Sequence, residues 1–444
     1  MNGAAPAPLF LLVESNTTGT GRLFAAAARA RGLHPVLLST RPDRYPWVAE
    51  DGIDVAWANT ADPEAIALVS SHLASRAPLG GILSSSEYFV AATARAAARL
   101  GLPGPSAPAI EQCRDKRRQR VALKRAGLPV PRFEAVSSVR SAVAAAADIG
   151  LPVVCKPADG TGSRGVRLCP DLSAVAEQAG LLLRSRKDER GRPSLPWLLV
   201  EAYVAGRELS VETFGRRLVG VTAKHLGPLP TFVETGHDFP APGHDVFGDT
   251  PGPGGETAAI ALRAVEALGL GWGPAHTEVR MAPSGPVVVE VNPRLAGGQI
   301  PILVELATGL DLVGATVDLA AGLPPTLSSR GHPGPRARPT GDPGPVHASI
   351  RFLVTAGEGR VGRISGLEQA AAIPGVVDVA VRIGAGDHIA ATGSFLDRVG
   401  HVIAVGSTSE AARAAADRGL SAIAVELVGS GELGKDSLVT AGAG

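Results

Sequence analysis

The sequence predicts an α/β protein of three units. A parallel-sheet unit spans residues 1–111, a larger unit spans 112–325, and a small α+β unit with a flexible tail spans 346–444. Three observations predict this. Short apolar runs alternate with helical patterns through the first unit, which implies a parallel sheet covered on both faces. The middle unit holds nearly all the chemically suggestive side chains, at the ends of apolar runs and in glycine-rich turns. A Pro/Gly/Arg-rich stretch, Ser328 to Pro345, then reads as a linker over residues 326–345, beyond which strand-like runs resume.

In the first unit, Leu9–Val13, His34–Leu38, Asp54–Trp57 and Gly81–Ser84 read as strands. Helical patterns run from about Arg22 to Arg31, around Pro63–Arg76 and over Phe89–Leu100. The Asn-Thr-Thr-Gly-Thr-Gly segment at residues 16–21 is a strand-to-helix turn. It is not a dinucleotide fingerprint, because Phe24 stands where the third glycine belongs and no acidic ribose partner follows. Ligands of such sheets gather at the carboxyl ends of the strands, which places Glu14, Ser15, Asn16 and Ser84 to Glu87 at a ligand edge. In the last unit His347–Val354, Val376–Arg382 and His401–Val405 read as strands and Ala411–Arg418 as a helix.

Composition excludes several classes. The chain has 444 residues, 45% hydrophobic and 19% charged, with a formal net charge of +1, so no global field draws it to nucleic acid or an anionic membrane. Cys113, Cys155 and Cys169 have neither metal-ligand nor disulfide-framework spacing, and a reducing cytoplasm is the expected setting. The apolar run Leu9–Val13 is too short for a signal peptide, and no stretch approaches the roughly 18 apolar residues of a membrane helix. Lysine occurs at only six positions among 43 basic residues; Lys124, Lys187 and Lys435 read as ordinary surface lysines, while at Lys116, Lys156 and Lys224 a compact, flexible ammonium is wanted.

The chemistry concentrates in four segments. Val153 to Val166 is a strand ending at Lys156, followed by a loop with three glycines, Gly160, Gly162 and Gly165, able to fold its backbone N–H groups over an anion. Lys116 begins a helix in Asp115-Lys116-Arg117-Arg118, a run that in isolation reads as a solvated face. Leu198 to Glu212 carries Glu201 and Glu208 around a turn, either a nucleoside site or a hairpin with polar ends. Finally, His276-Thr277-Glu278 and Val289-Glu290-Val291-Asn292-Pro293-Arg294 lie on two strands joined by Pro-Ser-Gly-Pro. Glu290 and Asn292 share a face with period two, and Glu278 can lie opposite them. Two carboxylates and an amide oxygen suit Mg²⁺, and Arg294 beside them offers a fork for carboxylate or phosphate.

In this order and spacing the residues resemble the ATP-grasp superfamily over about residues 110–305, and the flanking units match its architecture. His-Thr-Glu and Asn-Pro-Arg-Leu-Ala-Gly-Gly most resemble the L-amino-acid ligases that make dipeptides. After Arg294 the chain reads Ala296-Gly297-Gly298-Gln299 and lacks the continuation of the biotin carboxylases. The resemblance implies an ADP-forming carboxylate–amine ligase working through an acyl-phosphate. A purine-pathway or carboxyphosphate-forming ligase, and a non-catalytic ATP-binding module, are the other readings. It implies that Lys116 and Lys156 neutralise ATP phosphates, under a lid formed by Gly162, Ser163 and Gly165. Glu201 with Ala202 and Val204 would read adenine, and Glu208 the ribose. Glu278, Glu290 and Asn292 would hold Mg²⁺, or Mn²⁺ in its place. Arg294, with Gly297 and Gly298, would stabilise the acyl-phosphate; Glu87 would bind an amino group and His276 the amine or phosphate. Glu234 and His237, read as part of a loop, would line the acceptor pocket. A homodimer is also implied.

Overall fold

The structure is a computed structural model that describes residues 6–16, 20–185, 187–188, 190–244, 253–327, 347–355 and 357–428. The linker expected at 326–345 and the tail fall almost wholly outside these residues.

The first unit is a four-stranded parallel sheet in the order Asp54–Trp57, His34–Ser39, Leu9–Val13, Leu79–Leu83. Its central strand, Leu9–Val13, is buried throughout, as expected where helices cover both faces. The first helix begins at Thr20, two residues before the expected Arg22, and the fourth strand is displaced toward the N-terminus of the expected Gly81–Ser84.

The middle of the chain divides between two antiparallel sheets. A small sheet of four strands is ordered Phe133–Val136, Leu198–Ala202, Val153–Pro157, Arg167–Cys169. An eight-stranded sheet runs Gly285–Asn292, Pro274–Ala282, Glu208–Phe214, Arg217–Leu226, Glu234–Phe239, His347–Val354, Arg398–Gly406, Val376–Val381. Glu201 and Glu208, seven residues apart, thus belong to different sheets, which rules out the simple hairpin between them. The segment around Glu234 and His237 is a strand rather than a loop.

Strand His347–Val354 pairs antiparallel with Glu234–Phe239, so the C-terminal unit continues the large sheet. Three further strands, His388–Ile389, Gly359–Ser365 and Ala424–Val428, form a third small sheet that the sequence reading did not contain. Gly359–Ser365 carries only two apolar side chains, His388–Ile389 is two residues long, and the apolar run Ala424–Val428 is short and half-exposed, so no alternation marks them.

The units share one core. Phe10, Leu12 and Phe24 of the first unit pack with Leu303, Leu306 and Leu312 and with Ala348 and Ile350 of the C-terminal unit. The helices Ile300–Thr308 and Leu312–Ala320, buried over most of their lengths, form the hub. Among the described residues no single helix is long and apolar enough to cross a membrane.

Candidate active site

A cleft of about 230 Å³ separates the small sheet from the edge of the large one. Its floor follows from strand register. Glu278 pairs across the hairpin with Glu290, and His276 with Asn292; on the other side Glu278 faces Ser210 and His276 faces Glu212. Alternation along each strand sends these side chains to one face. The roof carries Lys156 and the glycine loop, in which Gly162 and Ser163 both take positive φ. Every residue expected at the site lines this cleft except Lys116, Gly165 and His237. Gly165, at φ +69°, turns the loop from behind, where a side chain would meet Leu182.

Lys116 stands directly behind the wall. Asp115 caps its helix by accepting from the N–H groups of Arg117 and Arg118, which fixes Lys116 in the first turn. Its ammonium donates to the Gly160 carbonyl at 2.5 Å and reaches Glu290 at 3.2 Å, tying the glycine loop to the metal-type acids. Lys156 meets Glu201 at 2.5 Å, and Glu201 is also held by the fully buried Arg120 at 2.7 Å. Burial draws the Lys156 pKa below its ordinary value, against the pull of Glu201. Glu201 therefore does not offer a free carboxylate to adenine; its side chain positions Lys156. Arg120 is a site residue the sequence reading missed, although it lies four residues after Lys116, on the same helix face.

Arg294 donates through Nε to Glu87 at 2.9 Å, and its Nη2 meets the same oxygen. Arg114 takes the other Glu87 oxygen at 2.6 Å, and the Thr161 hydroxyl donates at 2.9 Å. Burial would raise the Glu87 pKa, but Arg294, Arg114 and Lys116 outweigh it and hold the carboxyl well below its usual range. Glu87 is thus an anion already paired with two arginines, not an empty amine receptor.

A third cluster was not foreseen. Lys224 reaches Glu208, Glu234 and Glu278, each at 2.8 Å. Arg280 holds Glu208 at 3.0 Å, and Arg398 of the C-terminal unit holds Glu234 at 2.5 Å. Most of the roughly four acceptor sites of Glu208 are therefore occupied by these two cations. His276 closes the cluster with Nδ1 3.0 Å from Glu212 and Nε2 3.3 Å from Glu278. Burial opposes its charge, yet the two carboxylates raise its pKa to about 9, so His276 is an imidazolium that clamps Glu278. Its expected contact with the amine or phosphate gives way to this role. His237 is buried outside the cleft wall and meets the Gly298 carbonyl through Nδ1 at 3.1 Å. A side chain at Gly298 would overlap its ring.

The residues present fit a divalent cation. One end of the Asn292 amide lies 3.2 Å from a Glu290 oxygen and 3.0 Å from a Glu87 oxygen. The amide nitrogen at that end donates to both. The fit to a cation rests on donor type: the Glu278 and Glu290 carboxylates that pair across the hairpin, with the Asn292 amide two residues on.

Comparison with known proteins agrees with this layout. The family model for the ATP-grasp domain matches residues 149–302, and that for the ATP-grasp N-terminal domain matches 25–104. The chain belongs to the ATP-grasp superfamily. Within it, the chain is a ligase of the ATP-dependent, carbon–nitrogen bond-forming kind, and residues 351–428 match L-amino acid ligase C-terminal domain 2. An uncharacterized protein, y4rH of Sinorhizobium fredii, is 37% identical over 413 residues, covering 93% of this chain and 82% of the relative. Carnosine synthase 1 of Gallus gallus is 33% identical over 275 residues, or 58% of this chain; the match spans only 29% of that protein. The crystal structure of an L-amino acid ligase from Bacillus licheniformis superposes with a TM-score of 0.75 at 22% identity, covering 96% of this chain and all of that one, a likeness of fold.

Proposed function

We propose that this ligase activates the carboxylate of one amino acid as an acyl-phosphate and joins it to the amine of a second, releasing ADP and phosphate. The observation that carries the reading is Arg294. Its guanidinium lies beside Glu290 and Asn292, where the transferred phosphoryl group belongs, and its present partner is the carboxylate of Glu87. A group that already grips one carboxylate in a buried setting is suited to grip another. The match to the L-amino acid ligase C-terminal domain supports the amino-acid class.

The donor carboxylate oxygen attacks the γ-phosphorus of ATP and the bond to the bridging oxygen breaks, so ADP leaves. The amine nitrogen then attacks the acyl carbon, phosphate leaves and the nitrogen gives up a proton. Lys156 and Lys116 neutralise the phosphates, and the Gly160–Gly165 loop closes over them and excludes water. Glu278, Glu290 and Asn292 would hold Mg²⁺, which neutralises phosphate oxygens when bound. His276 and Lys224 keep Glu278 ionised and aimed. As Arg294 turns to the acyl-phosphate, Glu87 is left to offer its charge to the substrate ammonium.

A phosphate-release screen over amino-acid pairs, with mass spectrometry of the products, tests this. ADP and a dipeptide should appear together for some pairs. ATP binding with no phosphate release for any pair would make the chain a binding module; dependence on bicarbonate or a ribonucleotide would place it in another branch.

A further inference from the structure

Five lysine or arginine side chains line the cleft: Lys156, Arg190, Arg280, Arg294 and Arg398. Four are paired with glutamates as described above. Among the described residues, Arg190 alone of the five has no carboxylate within ion-pair distance. Its Nη1 donates to the Tyr45 hydroxyl at 3.1 Å and its Nη2 to the Ser15 carbonyl at 3.0 Å. The Tyr45 and Tyr88 rings lie 6.0 and 5.9 Å from the guanidinium. The Tyr45 hydroxyl in turn donates to the buried Glu14 carboxylate at 2.7 Å, so a carboxylate stands behind the hydroxyl but none of the described ones touches the guanidinium. A half-buried arginine with no direct carboxylate contact is a strong receptor for a bidentate carboxylate.

A second observation points the same way. The Tyr88 hydroxyl is buried and has no hydrogen-bond partner among the described residues, although Tyr88 lines the cleft. Buried hydroxyls are rarely left unpaired. Tyr88 also follows Glu87 in the chain, so Arg190 lies one aromatic ring away from the Arg294 cluster. The segment bearing Arg190 is pinned there by its neighbour Arg192, which bonds the Tyr88 carbonyl and pairs with Asp188 at 2.9 Å.

We propose that Arg190 binds the free carboxylate of the acceptor, the one carboxylate in the reaction that is not activated, and so restricts the acceptor to amino acids rather than simple amines. This rests on the amino-acid ligase reading. Arg190 reaches the cleft from the connection between helix Leu172–Arg184 and strand Leu198–Ala202 and bonds the Ser15 carbonyl at the carboxyl edge of the N-terminal sheet. An acceptor held there presents its amine toward Glu87 and Arg294 while its carboxylate stays on the fork.

The test compares L-amino acids with their own carboxamides, in two arms. In turnover, the native enzyme should prefer the acid acceptor. Arg190→Gln should reduce that preference roughly 10- to 100-fold, the worth of a charge-assisted pair, chiefly through KM. Arg190→Lys should restore part of it. In binding, calorimetry with a non-hydrolysable ATP analogue present should show the same acid-over-amide preference and its loss in Arg190→Gln. Dipeptide formation with an unchanged acid-to-amide ratio in Arg190→Gln would overturn the assignment. So would equal losses for acid and amide, which mark a strut, or a loss of ATP affinity matching that of Lys156→Ala, which marks a phosphate ligand. If no amide forms but the binding preference depends on Arg190, the carboxylate site stands and the ligase reading alone fails.

Discussion

Lys224→Met is the most telling perturbation, because the cluster around it is electrically balanced. Lys224, Arg280, Arg398 and His276 face Glu208, Glu234, Glu278 and Glu212 through a connected set of contacts of 2.5–3.3 Å. Burial opposes the charge on Lys224, yet its three carboxylates raise its pKa well above the ordinary value, so it stays an ammonium. Methionine keeps the length and removes the charge, leaving one buried carboxylate in excess. Breaking a buried pair in this way costs about 3–5 kcal/mol. At about 2–4 °C per kcal/mol for a cooperative unit of this size, the thermal midpoint should fall by about 6–20 °C, read by calorimetry at pH 7.5. Lys224→Met with Glu234→Gln restores neutrality and should recover about 1–3 kcal/mol. A shift under about 2 °C for the single variant, or a double variant no better than the single, would refute the balanced-network argument.

Other perturbations separate the remaining roles. Arg294→Ala should lower the rate of amide formation by about 10²–10³ while ATP affinity, read by calorimetry, stays nearly intact; a loss of ATP binding equal to that in Lys156→Ala would disprove its role. Gly162 holds φ +62° and a methyl there would overlap the Phe395 ring, while the Phe395 backbone N–H donates to the Gly162 carbonyl at 3.1 Å. Gly162→Ala should therefore undock the loop and raise KM for ATP about tenfold, and adding Phe395→Ala should restore part of the loss, leaving only the roughly 1–2 kcal/mol backbone penalty. Asp238 is buried, at 2.7 Å from His225 and 2.9 Å from Arg351. Burial opposes its charge, but these partners depress its pKa. Its stabilisation is present above the ordinary carboxylate pKa and is lost as pH falls through the depressed one. Asp238→Asn should lower the thermal midpoint at pH 7, and its gap from the native chain should narrow below about pH 4.

Much of the site is written in short-range pattern. Glu290 and Asn292 are two apart on a strand and must share a face; Lys156 ends a strand at a glycine loop; Asp115 caps the helix that presents Lys116. These depend only on the period of a strand or on a cap, so the sequence alone places a cation-and-acid site and its order along the chain. The partners are another matter. Lys224 draws its three acids from three different strands of the large sheet, and Arg398 reaches Glu234 from 164 residues away. Glu87 and Glu201, read as free acids, prove to be counter-ions of arginines and a lysine on other elements. Arg190 carried no signal because its meaning lies in what it lacks among the described residues, a direct carboxylate partner in a cleft where its peers all have one. Sequence by itself determined the nucleotide-type loop, the metal-type hairpin and the family they belong to. Which charges are already paired, and which wait for substrate, only the tertiary structure decided, because strand order and register join residues that no local period connects.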